Sequence, residues 1–224
     1  MCLIIDKPEN VNFTTAELAD FWQKNQDGAG IMWNNGICVE VEKIVAPTVG
    51  EWIDFYNQFA KGRACTIHLR WRTHGWIDEE NTHPYYIGRG NWLMHNGVLS
   101  HGNAADRAKS DTWHFIKDFI KPALRQNKSI LLNKQFKADI GREIGRNNKF
   151  VILGPRWKRA AVINRNSGIM WRGAWFSNTY AWTPPFIKYA NKTNNSNVID
   201  FNAATGVVRG NPPPIYRQSK FSKF

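Results

Sequence analysis

The sequence predicts a layered α+β domain. Three observations predict it. Strand-like and helix-like runs come in groups, in the order strand, helix, strands, helix, strands, helices, strands. Two capping boxes, Thr14-Thr15-Ala16-Glu17 and Thr48-Val49-Gly50-Glu51, each open an apolar run at helical spacing. Asn34-Asn35-Gly36 stands between two apolar runs and signals a hairpin.

The elements follow in order. Cys2–Ile5 reads as a strand stopped by Asp6-Lys7-Pro8. The first capping box opens a helix with Leu18, Phe21 and Trp22 on its apolar face. Asp27-Gly28-Ala29-Gly30 reads as a turn, and Ile31–Trp33 and Ile37–Val41 as the paired strands after it. The second capping box opens a helix whose core face is Trp52, Phe55, Tyr56 and Phe59. Ala64–Leu69 and Asn91–His95 read as strands. Asp111 opens a helix with Trp113, Ile116, Phe119, Ile120 and Leu124 on one face, and a second amphipathic helix runs from Lys134 to about Ile144. Lys149–Leu153 and Arg159–Asn164 read as paired strands around Gly154-Pro155, and Ile169–Trp171 as a short last strand. From about Thr183 the composition turns to Pro, Asn and Lys, which predicts an extended tail. The expected organisation is one domain over 1–182 and a basic extension over 183–224.

With 224 residues, 42% of them hydrophobic, the chain is long enough for one well-cored domain. No run of about 18 apolar residues exists, so no membrane span is expected. No basic and then apolar leader opens the chain, and the expectation is a cytoplasmic protein. Three widely spaced cysteines, Cys2, Cys38 and Cys65, suit neither a disulfide framework nor a zinc site. The six histidines show no zinc spacing with Cys or acidic residues, and no phosphate-binding glycine loop is present, so neither metal nor cofactor is expected. The net charge of +12 suggests an acidic partner or nucleic acid met through a basic surface. No RNA- or DNA-binding pattern accompanies it.

The unusual feature is Cys2 directly behind Met1. Met before a small residue is normally removed, which leaves a Cys carrying both a thiol and a free α-amine. A thiol of pKa ~8.5 is little ionised at neutral pH. An α-amine of pKa about 7.7–8.0 is a local base, so one residue supplies both nucleophile and base. Taken alone, Cys2 reads more readily as the first residue of a buried strand.

Three further stretches stand in order behind it: His68-Leu69-Arg70-Trp71-Arg72-Thr73-His74-Gly75, then Leu93-Met94-His95-Asn96-Gly97-Val98-Leu99, then Ser110-Asp111-Thr112. Asn81-Thr82-His83-Pro84 lies between the first two. With Cys2, over roughly residues 2–175, these resemble the glutaminase domain of class II glutamine amidotransferases, a family of N-terminal nucleophile (Ntn) hydrolases. The resemblance implies a four-layer α/β/β/α sandwich of mainly antiparallel sheets. It implies hydrolysis of the L-glutamine side-chain amide through a Cys2 thioester. It makes the Asn96 amide and the Gly97 N–H the oxyanion hole, Arg70 the fork on the substrate α-carboxylate, and Asp111 the holder of its α-ammonium. Trp71, Thr73 and His74 line the glutamine pocket, with Gly97 counted at both pocket and hole; His68 and His95 are expected to be structural. Arg72 stands where the family usually has Ala, and Trp113 where Glu is common. No length remains for a domain that uses the ammonia, so a separate synthase chain is the expected partner. Two other readings stay open: an Ntn amidase or peptidase acting on another amide, and a basic nucleic-acid-binding module on an Ntn scaffold.

Overall fold

A computed structural model describes residues 2–100, 106–180 and 182–184. The chain divides into a unit of residues 1–184 and a unit of residues 185–224. The expected basic extension lies outside the described residues from position 185 onward.

The structure is a mixed α/β arrangement with two antiparallel sheets. The first holds six strands in the order β3 (Val39–Val45), β2 (Gly28–Asn34), β4 (Cys65–Arg70), β1 (Leu3–Lys7), β10 (Ala174–Phe176), β9 (Ile169–Trp171). The second holds four, β5 (Tyr85–Gly88), β6 (Asn91–Asn96), β7 (Lys149–Leu153) and β8 (Ala161–Ile163). Every strand pair is antiparallel. None of the described helices is long and apolar enough to cross a membrane.

Both capping boxes form. Thr14 and Thr48 accept from the N3 backbone, and Glu17 and Glu51 reach back to the cap N–H groups, opening α1 (Thr15–Trp22) and α2 (Val49–Phe59). A cap of this kind contributes about 1 kcal/mol. Leu18, Phe21, Trp52, Phe55 and Tyr56 then pack with Leu3, Ile5, Ile67 and Leu69 in one core cluster. A second cluster joins Ile4 of β1 and Met32 of β2 to Met94, Val151 and Leu153 of the other sheet. A third joins that sheet, through Leu93, Phe150 and Ile152, to Phe115, Leu124, Ile140 and Ile144 of the later helices.

These clusters settle which way the strand ends face. Successive side chains on a strand point to opposite faces. Leu3 and Ile5 face α1 and α2, so Ile4, and Cys2 by the same alternation, face the other sheet. Ile67 and Leu69 likewise put His68 and Arg70 on the inter-sheet face. Met94 puts Asn96 there from the opposite side.

Three expectations are corrected. Gly28-Ala29-Gly30 is no turn; it begins β2. A Cβ on Gly30 would lie 1.8 Å from the His83 carbonyl oxygen, so glycine is required there for close packing of a neighbouring segment. The helix from Asp111 is not one regular α-helix. It runs as α3 (Asp111–Phe115), a π-helical turn over Ile116–Ile120 and α4 (Lys121–Gln126). Pro122 lacks the N–H that an α-helix would need at that position, and the π turn absorbs the break. The added residue rotates the apolar stripe, leaving Phe119 exposed and burying Phe115. Strands β5 and β10 belong to no expected element; both are only three or four residues long. The helix from Lys134 is found as α5 (Lys134–Ile144).

Candidate active site

Cys2 immediately precedes β1, beside the end of β4. Leu3 pairs with Leu69, so Cys2 meets the Arg70–Trp71 step. The Trp71 N–H donates to Cys2 Sγ at 3.4 Å, and the thiol lies the same distance from the Trp71 carbonyl oxygen. Burial raises the Cys2 thiol above its ordinary range; the Trp71 N–H and the Arg70 charge oppose this, and Asp111 adds to it. Buried Cys65 sits in the core with its thiol pushed up to about 12 by desolvation, an inert contrast.

Arg70 is 3% exposed. One nitrogen, Nη2, donates to the His74 carbonyl oxygen at 3.2 Å; the other, Nη1, is buried with no partner in the protein. A guanidinium carries five donors and can satisfy a carboxylate with two of them, so this buried donor is suited to hold an anionic oxygen at the site. Asp27 fixes the chain around it: its N–H donates to the Arg70 carbonyl oxygen at 3.1 Å, and its carboxylate accepts from the Arg72 N–H at 2.7 Å.

Asp111 opens α3 but does not cap it. Ser110 is the N-cap, accepting from the Trp113 N–H at 3.2 Å. The Asp111 carboxylate is 7% exposed and accepts from the Leu99 N–H and the Thr112 N–H, each at 2.7 Å. It is thereby tied to the loop that follows Asn96-Gly97. Asn81 places it from the other side, accepting from the Ser110 N–H at 2.9 Å and donating to the Ala108 carbonyl oxygen at 2.8 Å. Asp111, Thr73 and His74 line one cavity of about 660 Å³ with Trp76, Leu99 and His114.

Asn96 and Gly97 line a second cavity, about 330 Å³, with Asn178 and Tyr180. Cys2 lines neither. Its link to Asn96 runs through the strand β10 exit. Ser177 Oγ accepts from the Ile4 N–H at 2.9 Å and meets Asn96 Nδ2 at 2.7 Å, while Asn178 Nδ2 donates to the Cys2 carbonyl oxygen at 2.8 Å. Asn96 is 2% exposed, and its Oδ1 is buried without a partner. Gly97 has φ +142°, and a Cβ there would lie 1.9 Å from Asn148 Oδ1.

His95 and His68 are buried, as structural histidines are. His95 Nε2 meets Asn148 Oδ1 at 2.9 Å and Nδ1 meets Thr112 Oγ1 at 2.7 Å. A carbonyl oxygen only accepts, so Nε2 carries a proton; burial lowers the ring's pKa, and the Asp111 charge opposes this. His68 is held to about 3 by burial. Trp71 is half exposed at the surface, and Thr73 and His74 are exposed. Among the described residues no group of three or more His, Cys, Asp or Glu side chains is arranged to hold a metal ion.

Sequence reasoning assigned no role to Asn178 or Ser177, which lie past the last motif. A Ser-Asn pair directly after a strand gives no signal of its own; only the antiparallel pairing of β10 with β1 puts it beside Cys2.

No family model matches the chain, and no curated protein matches it. Several solved structures are similar at low level, and two of them serve as examples. One is a glutamine phosphoribosylpyrophosphate (PRPP) amidotransferase from B. subtilis complexed with ADP and GMP, 17% identical, TM-score 0.42. The other is described as the allosteric regulatory enzyme of purine biosynthesis, 17% identical, TM-score 0.40. In each case 80% of this chain is covered and only 42% of the other. At that level the likeness adds no weight to the functional reading, which stands on the site's own residues.

Proposed function

We propose that this chain is a glutaminase of the class II glutamine amidotransferase type, built on the α/β/β/α sandwich of Ntn hydrolases over residues 1–182. The observation that carries the reading is the buried, half-unpartnered Arg70 one residue from the backbone N–H that meets Cys2 Sγ. With Asp111 within electrostatic reach, the site offers one fixed positive and one fixed negative group beside a thiol. That pair suits the α-carboxylate and α-ammonium of a free amino acid, and it disfavours an internal peptide bond, which has neither.

Removal of Met1 exposes the Cys2 α-amine as base. Sγ bonds to the side-chain carbonyl carbon of glutamine, and the C–N bond breaks with a proton passing through the amine to the leaving ammonia. Water then cleaves the thioester to glutamate. Both tetrahedral steps place negative charge on oxygen, and the Gly97 N–H and Asn96 Nδ2 receive it. A 180° rotation of the Asn96 amide suits this role. It lets the Ser177 hydroxyl donate to Oδ1, ends the burial of an unpartnered acceptor, and frees the NH₂ for the oxyanion. The ammonia acceptor is assigned to a separate partner chain, and a cytoplasmic setting fits the free thiols.

A substrate panel tests the reading. Glutamine releases ammonia; N-acetylglutamine and glutamine amide, each lacking one end charge, are hydrolysed at least ~100-fold less well in kcat/KM, since an unpaired buried charge costs several kcal/mol. Equal turnover of all three would favour a general amidase. A steep salt-dependent affinity for nucleic acid with no turnover would favour the binding module.

A further inference from the structure

A cavity of about 680 Å³ lies between α5 and β8 and shares no residue with either cavity at the candidate site. The strand contributes all three of its consecutive residues, Ala161 to Ile163, and Asn164 follows directly after it. A sheet face would contribute alternate ones, so the groove runs along the edge of β8. β8 ends its sheet, and among the described residues no strand pairs with its outer side. Such an edge presents backbone N–H and C=O groups for an incoming strand.

The other wall is one stripe of α5. Its opposite face, through Ile140 and Ile144, is buried in the core. The stripe carries Lys137 and Arg142, Arg146 follows just past the end of the helix, and the cavity lining contains no carboxylate. Arg142 pairs with Asp139 on its own helix. Lys137 and Arg146 have no ion-pair partner among the described residues. Ala138, Gly141 and Gly145 alternate with the cations, so the floor is small and a ligand backbone can come close.

We propose that this groove docks an extended acidic segment of a partner protein, which adds to β8 as a strand and sets its carboxylates against Lys137 and Arg146. Two features favour a peptide over a nucleic acid. A phosphodiester backbone carries acceptors only and cannot match both the N–H and C=O groups of a strand edge. No aromatic side chain lines the groove to stack a base. The site is independent of the chemistry at Cys2, and it concentrates a charge excess that composition alone leaves spread over the surface.

The test uses the full chain and a fluorescent eight-residue peptide alternating Glu and Val. The expected result is saturable binding, with amide NMR shifts at Ala161–Asn164. Binding weakens about tenfold in Arg146→Glu or Lys137→Glu, and it is lost when alternate peptide nitrogens are methylated. Shifts confined to other elements overturn the proposal. So does a methylated peptide that binds as well as its parent, or a twelve-nucleotide oligouridylate that displaces the peptide and loses affinity in the same two variants.

Discussion

The dipeptide Asn-Gly occurs at 35–36 and at 96–97, and the two copies behave differently. At the tip of the β2–β3 hairpin, Asn35 is exposed and its side-chain oxygen accepts from the N–H groups of Ile37 and Cys38. A Cβ on Gly36 would meet nothing within 4 Å. At the end of β6, Asn96 is buried, its amide is held by Ser177, and Gly97 lies against Asn148. Both glycines have positive φ. The first copy is local turn chemistry. The second is held by residues distant in sequence, and its polar groups face the interior. Identical local sequence therefore carries two meanings, and burial separates them.

Substitutions at the two copies should diverge accordingly. Gly97→Ala is expected to have the largest effect. The added methyl overlaps the Asn148 side chain, which also holds His95, so glutaminase activity falls at least ~100-fold and stability falls by about 2–3 kcal/mol. Gly36→Ala costs only the left-handed backbone term, about 1 kcal/mol, with unchanged turnover. Denaturant melts and steady-state kinetics on both variants check this; a Gly36 variant as damaged as the Gly97 one would dissolve the distinction.

The next effect is on kcat alone. Asn96→Ala removes an oxyanion donor and should lower kcat by about 10²–10³ with KM little changed, whereas Asn35→Ala leaves kcat where it was. Ser177→Ala leaves the Asn96 amide without its anchor and should lower kcat about tenfold. In both site variants Cys2 should still react normally with iodoacetamide, which forms no oxyanion. A raised KM at constant kcat would instead assign Asn96 to ground-state binding.

The smallest effect concerns charge around the thiol. Burial and Asp111 raise the Cys2 thiol, while Arg70 lowers it. Asp111→Asn removes a negative charge that disfavours thiolate, so the pH at which iodoacetamide alkylation half-rises moves down; Arg70→Met moves it up. Opposite shifts, or none, would place these groups farther from the sulfur than the account requires. The turn at Asn35-Gly36 carries its own exposed thiol, Cys38, 3.6 Å from Asn35 Nδ2; its alkylation, read on a separate peptide, should follow the same profile in both variants and serves as the control.

Much of the frame was legible in the chain itself. The capping boxes of α1 and α2 are local signals, complete within four residues, and both form as expected. What was hidden depends on contacts between distant residues. Gly28 to Gly30 reads as a turn because the close neighbours that require glycine there, Thr82 at Gly28 and His83 at Gly30, are distant in sequence. The π turn before Pro122 shifts a stripe that simple 3.6-residue counting cannot follow. Cys2, Arg70 and Asn96 were named from motifs, and strand alternation explains why their strands aim them into the space between the sheets. Ser177 and Asn178 could not be found this way, because their roles arise only when β10 lies beside β1.

The most direct measurement is intact mass and peptide mapping after incubation with a diazo-ketone analogue of glutamine. The account predicts a protein lacking Met1 that gains one adduct, on Cys2, with labelling blocked by excess glutamine and unaffected by asparagine. A chain that retains Met1 and stays unlabelled, or that is labelled at Cys38 while Cys2 is untouched, would contradict it.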